Sequence, residues 1–429
     1  MSLEVQTRLL PHLVGKLHLY QDWEEQRRTI VEALEREPEF AGMTPAERQL
    51  AAAEFLALDV IEPFVRDPRT EDVMINATKS IFIYNAEHGM MRTEKRFASH
   101  AELEFFVRKL VVLAGKSEVR PSLDLHLPRN LRVNYVVGAF GPQITIRKMK
   151  STPPSILDLL DWGMLDVKTA ADLWLYADGL GIKPANILVG GAPGSGKSTL
   201  LNALFSFFPA NERIVTIEDT IELNTESEEN CARLEVNDDL DANALVKNAL
   251  RMRPDRVVVG EVRGVEARSL ITAMNIGKIC MGTIHANSAR NIITRLSNDP
   301  MNISQDVLTL IDVLIIVKSF PDEGRVHRAV VEIVETAGRE SQILLTAPQH
   351  YDLKHKRLEH SEPRTIYRDK LARLSDKRAV DILKELDTRA RILMALRQRG
   401  LRSIPEISAF AKEYYVNPEA ALAKIGLRR

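Results

Sequence analysis

The sequence predicts an α/β protein, with a parallel-sheet domain that carries a phosphate-binding loop preceded by a smaller α+β domain. Three observations predict it. The run Leu188-Val189-Gly190-Gly191-Ala192-Pro193-Gly194-Ser195-Gly196-Lys197-Ser198-Thr199 sets a Gly-x-x-x-x-Gly-Lys-Ser loop between an apolar strand and a helix. Beyond residue 165, continuous Val/Ile runs alternate with helical stretches, the mark of a parallel sheet covered on both faces. Before residue 150, short alternating runs separated by turns point to a second, antiparallel sheet.

In chain order, residues 17–57 read as helices. Thr44-Pro45-Ala46-Glu47 is a capping box with Pro at the first helical position, and it opens an Ala/Leu-rich helix to about Leu58. Strands follow at Val73 to Asn76, Ser80 to Tyr84 and Met91 to Lys95, with a turn at Asn85 to Gly89. Leu103, Phe106, Val107 and Leu110 recur at helical spacing within 101–115. Arg132 to Val137 and Gln143 to Arg147 complete the α+β domain, set at 58–150 behind the helical segment 1–57. Ser151-Thr152-Pro153-Pro154-Ser155 opens a linker, 151–165. The core, 166–345, carries strands at Ile187 to Val189, Arg213 to Ile217, Arg256 to Val259, Ile279 to Ile284 and Val313 to Val317. A C-terminal helical region, 346–429, holds a helix from Ser375 to a Gly400 cap. Shorter helices follow near Ile404 to Tyr415 and Pro418 to Ile425.

Composition narrows the function classes. The chain has 429 residues, 45% hydrophobic, enough for two or three domains with cores of their own. A net charge of −1 demands neither nucleic acid nor an anionic membrane. Charge is uneven locally: Glu218 to Asp241 is acidic, and Arg364 to Arg429 carries sixteen Lys/Arg against eight Asp/Glu. The two cysteines, Cys231 and Cys280, offer no zinc spacing and no disulfide framework, as suits a reducing compartment. No apolar run nears the ~18 residues of a membrane helix, and the N-terminus shows no signal-peptide pattern. The expectation is a soluble, cytoplasmic protein that reaches a membrane through a partner.

The loop's chemistry is specific. Gly191, Gly194 and Gly196 permit φ > 0 and a close approach to an anion. The amides through Ser195 and Thr199 then face phosphate oxygens at a helix N-terminus. Lys197 reaches the β- and γ-phosphates, and the Ser198 hydroxyl binds Mg²⁺. ATP is favoured over GTP because no Asn-Lys-x-Asp guanine-reading motif is present.

Hydrolysis also needs carboxylates. Val257-Val258-Val259-Gly260-Glu261 ends a buried strand in an acid, where open α/β sheets hold their ligands. Glu261 is then a ligand of Mg²⁺ or of its water, with Gly260 where Asp is common. Thr216-Ile217-Glu218-Asp219-Thr220-Ile221-Glu222 places further acids at a strand end, and either Glu222 or Glu218 can polarise the attacking water. His285 ends another apolar strand, Met281 to Ile284.

Together these residues resemble the secretion and pilus-assembly ATPases of type II secretion, type IV pili and type IV secretion. Gly191 to Thr199 is similar to the family's Walker A, Thr216 to Glu222 to its Asp box, Ala249 to Arg263 to its atypical Gly-Glu Walker B, and Gly282 to Ser288 to its His box. Upstream, Asp67 to Asn76, Leu127 to Val133 and Gly141 to Lys148 are similar to parts of its N-terminal domain. Tyr414-Tyr415-Val416-Asn417-Pro418-Glu419 resembles archaeal pilus and archaellum assembly members. The resemblance implies a RecA-like P-loop NTPase core behind a PAS-like N-terminal domain, and a homohexameric ring that acts on a polytopic membrane platform protein. It implies that Glu222 is the general base, Glu261 the Walker B acid and His285 a γ-phosphate sensor. It further implies that Arg132 and Arg147 neutralise phosphate charge between domains or subunits. Departures are Thr220 where Pro is frequent, Lys278 after Gly277 where His is usual, and the missing metal-binding cysteine quartet of some bacterial members.

Two other classes compete. The basic C-terminal stretch alone supports a nucleic-acid translocase, although such helices are usually solvated faces or subunit contacts. Lys278 lends slight support to a nucleotide-gated assembly factor with little turnover.

Overall fold

A computed structural model of the chain describes residues 3–428, except 20, 86, 149–152, 226, 238, 323–324, 340–341, 353–356 and 361–364. The linker residues Ser151 and Thr152 therefore lie outside the described residues. Residues 1–151 and 152–429 form two compact units.

The N-terminal unit opens with α1 (Leu3–Leu13), α2 (Trp23–Arg36), α3 (Pro45–Leu56) and α4 (Glu62–Arg66). Capping boxes start α2, from Asp22 and Glu25, and α3, from Thr44 and Glu47, so amides without helical partners are satisfied locally. Next come β1 (Thr70–Asn76), β2 (Ser80–Asn85), β3 (Gly89–Arg92), α5 (His100–Leu113), β4 (Ser122–Leu127), β5 (Leu131–Gly138) and β6 (Gly141–Lys148). These strands form one antiparallel sheet, β3-β2-β1-β6-β5-β4. Its alternate residues Val73, Ile75, Ile81, Leu125, Val133, Ile144 and Ile146 are buried with Leu103, Phe106 and Leu110 of α5. Sequence reading missed β4, although Leu123, Leu125 and Leu127 alternate cleanly. The Asp124 and His126 between them are poor strand residues, and the strand is held by its pairing to β5.

The second unit is built on a nine-stranded sheet. After α6 (Ile156–Asp161) and α7 (Val167–Asp178) come β7 (Ile187–Gly190), α8 (Lys197–Leu204), β8 (Ile214–Glu218), β9 (Cys231–Glu235), α9 (Ala242–Ala249) and β10 (Arg256–Val262). They are followed by α10 (Glu266–Asn275), β11 (Ile279–Ile284), α11 (Ala289–Ser297), α12 (Gln305–Leu308), β12 (Val313–Asp322), β13 (Arg325–Arg339), β14 (Gln342–Asp352) and β15 (Arg357–His360). The order is β15-β14-β13-β12-β7-β11-β10-β8-β9; the six strands from β12 to β9 are parallel, and β13 to β15 extend them antiparallel. The parallel interior is apolar on both faces, as Ile187, Leu188, Val189, Val257, Val258 and Val259 show. The carboxyl ends of β7, β8, β10 and β11 share one edge, and the candidate site lies there.

The chain ends in α13 (Ile366–Ser375), α14 (Ala379–Gln398), α15 (Ile404–Val416) and α16 (Pro418–Lys424). Two expectations need correction. The region from 346 is not helical at its start: it finishes β14 and includes β15, and helices begin at Ile366. These strands form because β14 pairs with β13 and β15 with β14, which local sequence does not reveal. The helix expected from Ser375 begins four residues later, as α14 at Ala379, because Asp376 at φ +53° ends α13, a helix that precedes the expected span. Gly400, at φ +74°, does follow the end of α14.

Candidate nucleotide-phosphate site

The loop between β7 and α8 has the shape its residues predict, with one revision. Gly194 (φ +71°) and Gly196 (φ +102°) occupy left-handed backbone, whereas Gly191 does not. Gly191 is needed for space: a Cβ there would lie 2.4 Å from Ser195 Oγ and 2.5 Å from the Val317 carbonyl oxygen. The Ser195 hydroxyl is buried inside the bend and has no hydrogen-bond partner. Ser198 and Thr199 occupy the first turn of α8, where amides lack helical acceptors and favour an anion.

Lys197 opens α8, and its Nζ donates to the Ala192 carbonyl at 3.0 Å across the loop. Burial lowers its pKa, while the nearby carboxylates of Glu261 and Glu222 oppose that shift. The three groups therefore share one electrostatic neighbourhood. On the other side of the loop, Arg328 Nε of β13 donates to the Gly194 carbonyl at 2.9 Å.

Glu261 stands where β10 loses its register with β11, between Val259 and Val262. Thr283 of β11 donates its hydroxyl to the Gly260 carbonyl at 2.6 Å and fixes that irregular end. Glu261 Oε1 lies 2.8 Å from His285 Nε2, and Oε2 accepts from Arg263 at 2.6 Å. Burial acts to raise the Glu261 pKa, but the hydrogen bond and charge of Arg263, with the charges of His285 and Lys197, hold it below its ordinary value. Arg263 also pairs with Asp219 at 3.0 Å. Glu261, His285, Arg263 and Asp219 thus form one chain of contacts at the strand ends.

Glu218 and Glu222 are not equivalent. Glu218 is 3% exposed. Its Oε1 accepts the amides of Glu222 and Leu223 at 2.8 and 2.9 Å, and burial pushes its pKa up to about 7 against those two hydrogen bonds. These bonds make Glu218 the anchor of the loop bearing Glu222. Arg132 and Arg147 belong to the N-terminal unit. They are cross-strand partners on β5 and β6, and each lies beside an acid: Arg132 is 3.9 Å from Asp124, and Arg147 2.8 Å from Asp72.

Sequence reading assigned no role to Arg263, Asn202 or Arg328. Arg263 stood inside a quoted motif, two residues past Glu261. Asn202 and Arg328 carried no local signal, because their partners Glu222 and Gly194 are distant in sequence.

The residues fit a magnesium-bound triphosphate. The bend is kept free of a Cβ, an orphaned hydroxyl and an ammonium line it, and a serine hydroxyl and a carboxylate supply hard oxygen donors. No group of three or more His, Cys, Asp or Glu able to hold a metal occurs among the described residues, so a cation here would complete its ligands with phosphate and water. No helix among the described residues is long and apolar enough to cross a membrane.

Residues 56–323 match the family model described as Type II/IV secretion system protein. The chain is 41% identical over 235 residues to an uncharacterised protein of Methanocaldococcus jannaschii, covering 51% of this chain and 32% of that one. It thus spans about a third of that relative's length. It is 28% identical over 298 residues to the conjugal transfer protein TrbB of Rhizobium radiobacter, covering 67% and 88% of the two chains. Its fold is similar to that of the pilus retraction motor PilT with bound ADP, at a TM-score of 0.51 and 20% identity, covering 77% of this chain and 89% of that one.

Proposed function

Because the chain belongs to the type II/IV secretion system protein family, we propose that it is a Mg²⁺-dependent ATPase that powers a secretion, conjugation or pilus apparatus. One observation carries the reading: Lys197, Glu222, Glu261 and His285 converge on a loop shaped for phosphate. The amides from Gly194 to Thr199 bind and orient the phosphates, and Lys197 transfers its hydrogen bond from Ala192 to them. Ser198 and Glu261 would hold the magnesium ion, whose charge offsets that developing on the transferred phosphoryl group. Glu222 accepts a proton from the attacking water, and His285, 2.8 Å from Glu261, senses the terminal phosphate. We assign Arg132 and Arg147 to neutralising phosphate charge on their motif match alone. A homohexameric ring, a cytoplasmic location and a membrane platform partner complete the proposal, supported by family membership.

The nucleic-acid reading weakens. Much of the basic C-terminal charge is already paired: Arg389 with Asp178, Arg397 and Arg402 with Asp161, and Lys412 with Glu228.

The test is ATP binding and phosphate release by the intact chain and two variants. Lys197→Ala loses both. Glu222→Gln keeps its affinity for ATP but loses turnover by about 10²-fold or more. Wild-type turnover in Glu222→Gln would remove the assigned base.

A further inference from the structure

The peptide that carries Glu222 is gripped from two sides. Its amide, with that of Leu223, donates to Oε1 of Glu218, the last residue of β8. Its carbonyl accepts from Asn202 Nδ2 at 3.2 Å, and Asn202 Oδ1 accepts the Asn224 amide at 2.7 Å. Asn202 lies on α8, the helix that Lys197 opens. One side of the grip is therefore a core strand, and the other is the phosphate-binding helix itself.

Two further observations show that this arrangement is built. A Cβ on Gly260 would fall 2.9 Å from Glu218 Cγ, so the neighbouring strand leaves out a side chain where Glu218 packs. Leu223 is buried, and its carbonyl accepts from Arg233 at 2.7 Å, which pins the loop just beyond Glu222. Only one Glu218 oxygen does the holding; Oε2 is buried without a hydrogen-bond partner.

We propose that Glu218 and Asn202 are positioning residues that fix the Glu222 carboxylate relative to the phosphates bound at α8. The proposal rests on the reading of Glu222 as general base. The holding work is geometric: a fixed acceptor for two amides and a donor–acceptor amide on the helix. An amide oxygen can therefore replace Glu218 Oε1, whereas a methyl group cannot. A misplacement of about 1 Å in a catalytic group lowers turnover on the order of 10²-fold, and ground-state binding of the nucleotide is untouched because the phosphate loop is intact.

The experiment compares Glu218→Ala, Glu218→Gln, Asn202→Ala, Asn202→Asp and Glu222→Gln in the full chain. It measures kcat, KM for ATP, the Kd of a non-hydrolysable ATP analogue, and hydrogen exchange of the 219–225 amides in nucleotide-free protein. Glu218→Ala and Asn202→Ala are expected to lose kcat on the order of 10²-fold, with KM and Kd within about threefold of wild type. In both, the 219–225 amides exchange faster. Glu218→Gln stays near wild type in kcat and in protection. Asn202→Asp, which keeps the acceptor and loses the donor, falls between. Wild-type kcat in both alanine variants beside an inactive Glu222→Gln overturns the positioning role and leaves the base intact. A Glu218→Gln as impaired as Glu218→Ala also overturns it, because charge rather than geometry would then matter. An active Glu222→Gln overturns the base reading instead.

Discussion

At the residue scale, the candidate site keeps its charged groups on internal partners. Lys197 is bonded to the Ala192 carbonyl, Arg263 to Glu261 and Asp219, and Arg328 to the Gly194 carbonyl. A triphosphate can take over such donors without leaving them unsatisfied in the meantime. Glu218 adds a pH dependence. Its folded pKa of about 7 lies above its ordinary 4.5, so its contribution favours the fold below about pH 4.5 and is lost as pH rises through 7. The stability of Glu218→Gln relative to wild type should therefore improve by on the order of 3 kcal/mol between pH 4 and pH 9, read by urea denaturation at each pH. A gap that stays constant across that range would contradict the assignment. Lys197, Glu261 and His285 were legible in the sequence because each sits at a fixed offset from an apolar run. The division of labour between Glu218 and Glu222 was not, because it depends on which carboxylate the fold buries.

At the element scale, the C-terminal helices are locked to the phosphate-binding layer. Arg389 of α14 makes a two-pronged ion pair with Asp178 at the end of α7, both oxygens at 2.8 Å, with its guanidinium 5.0 Å from the centre of the Trp174 ring. Trp174 stacks on Phe207, and Tyr415 of α15 accepts from Trp174 and donates to the Phe207 carbonyl. Phe207 lies just past the end of α8, so α15 packs against the tail of that helix. Asp178→Ala would leave the buried Arg389 guanidinium with Glu385, 2.9 Å from its Nε, as its remaining acid, and the expected loss is about 3 kcal/mol by chemical denaturation. A loss below about 1 kcal/mol would show that water or another acid compensates. Periodicity and capping made α3, α5 and the parallel strands β7, β8, β10, β11 and β12 readable. It failed for β9 and for β13 to β15, whose order comes from pairing with neighbours rather than from their own apolar content. Loops joining antiparallel strands carry no helix between them, so the alternating strand–helix pattern that revealed β7, β8 and β10 to β12 simply stops there.

At the scale of the whole molecule, the family match covers the end of the first helical segment, the N-terminal sheet and the parallel core, 56–323. The helices from Ile366 onward lie beyond it, yet they contribute Ile392, Leu393 and Leu396 to the same core that buries the phosphate-binding helix. The second compact unit thus extends past the residues that match the family model, and the C-terminal helices belong to its stability. What stays constant through the proposal is the cradle: a bend that excludes a side chain at Gly191, a lysine at the head of a helix, and acids from adjoining strand ends. The most direct measurement is a high-resolution structure of the intact chain with magnesium and a non-hydrolysable ATP analogue. The account predicts β- and γ-phosphate oxygens within hydrogen-bond reach of the Gly194 to Thr199 amides, Lys197 Nζ moved from Ala192 onto them, and the Glu222 and Glu261 carboxylates beside the terminal phosphate. An analogue bound elsewhere, with Lys197 still on the Ala192 carbonyl, would contradict it.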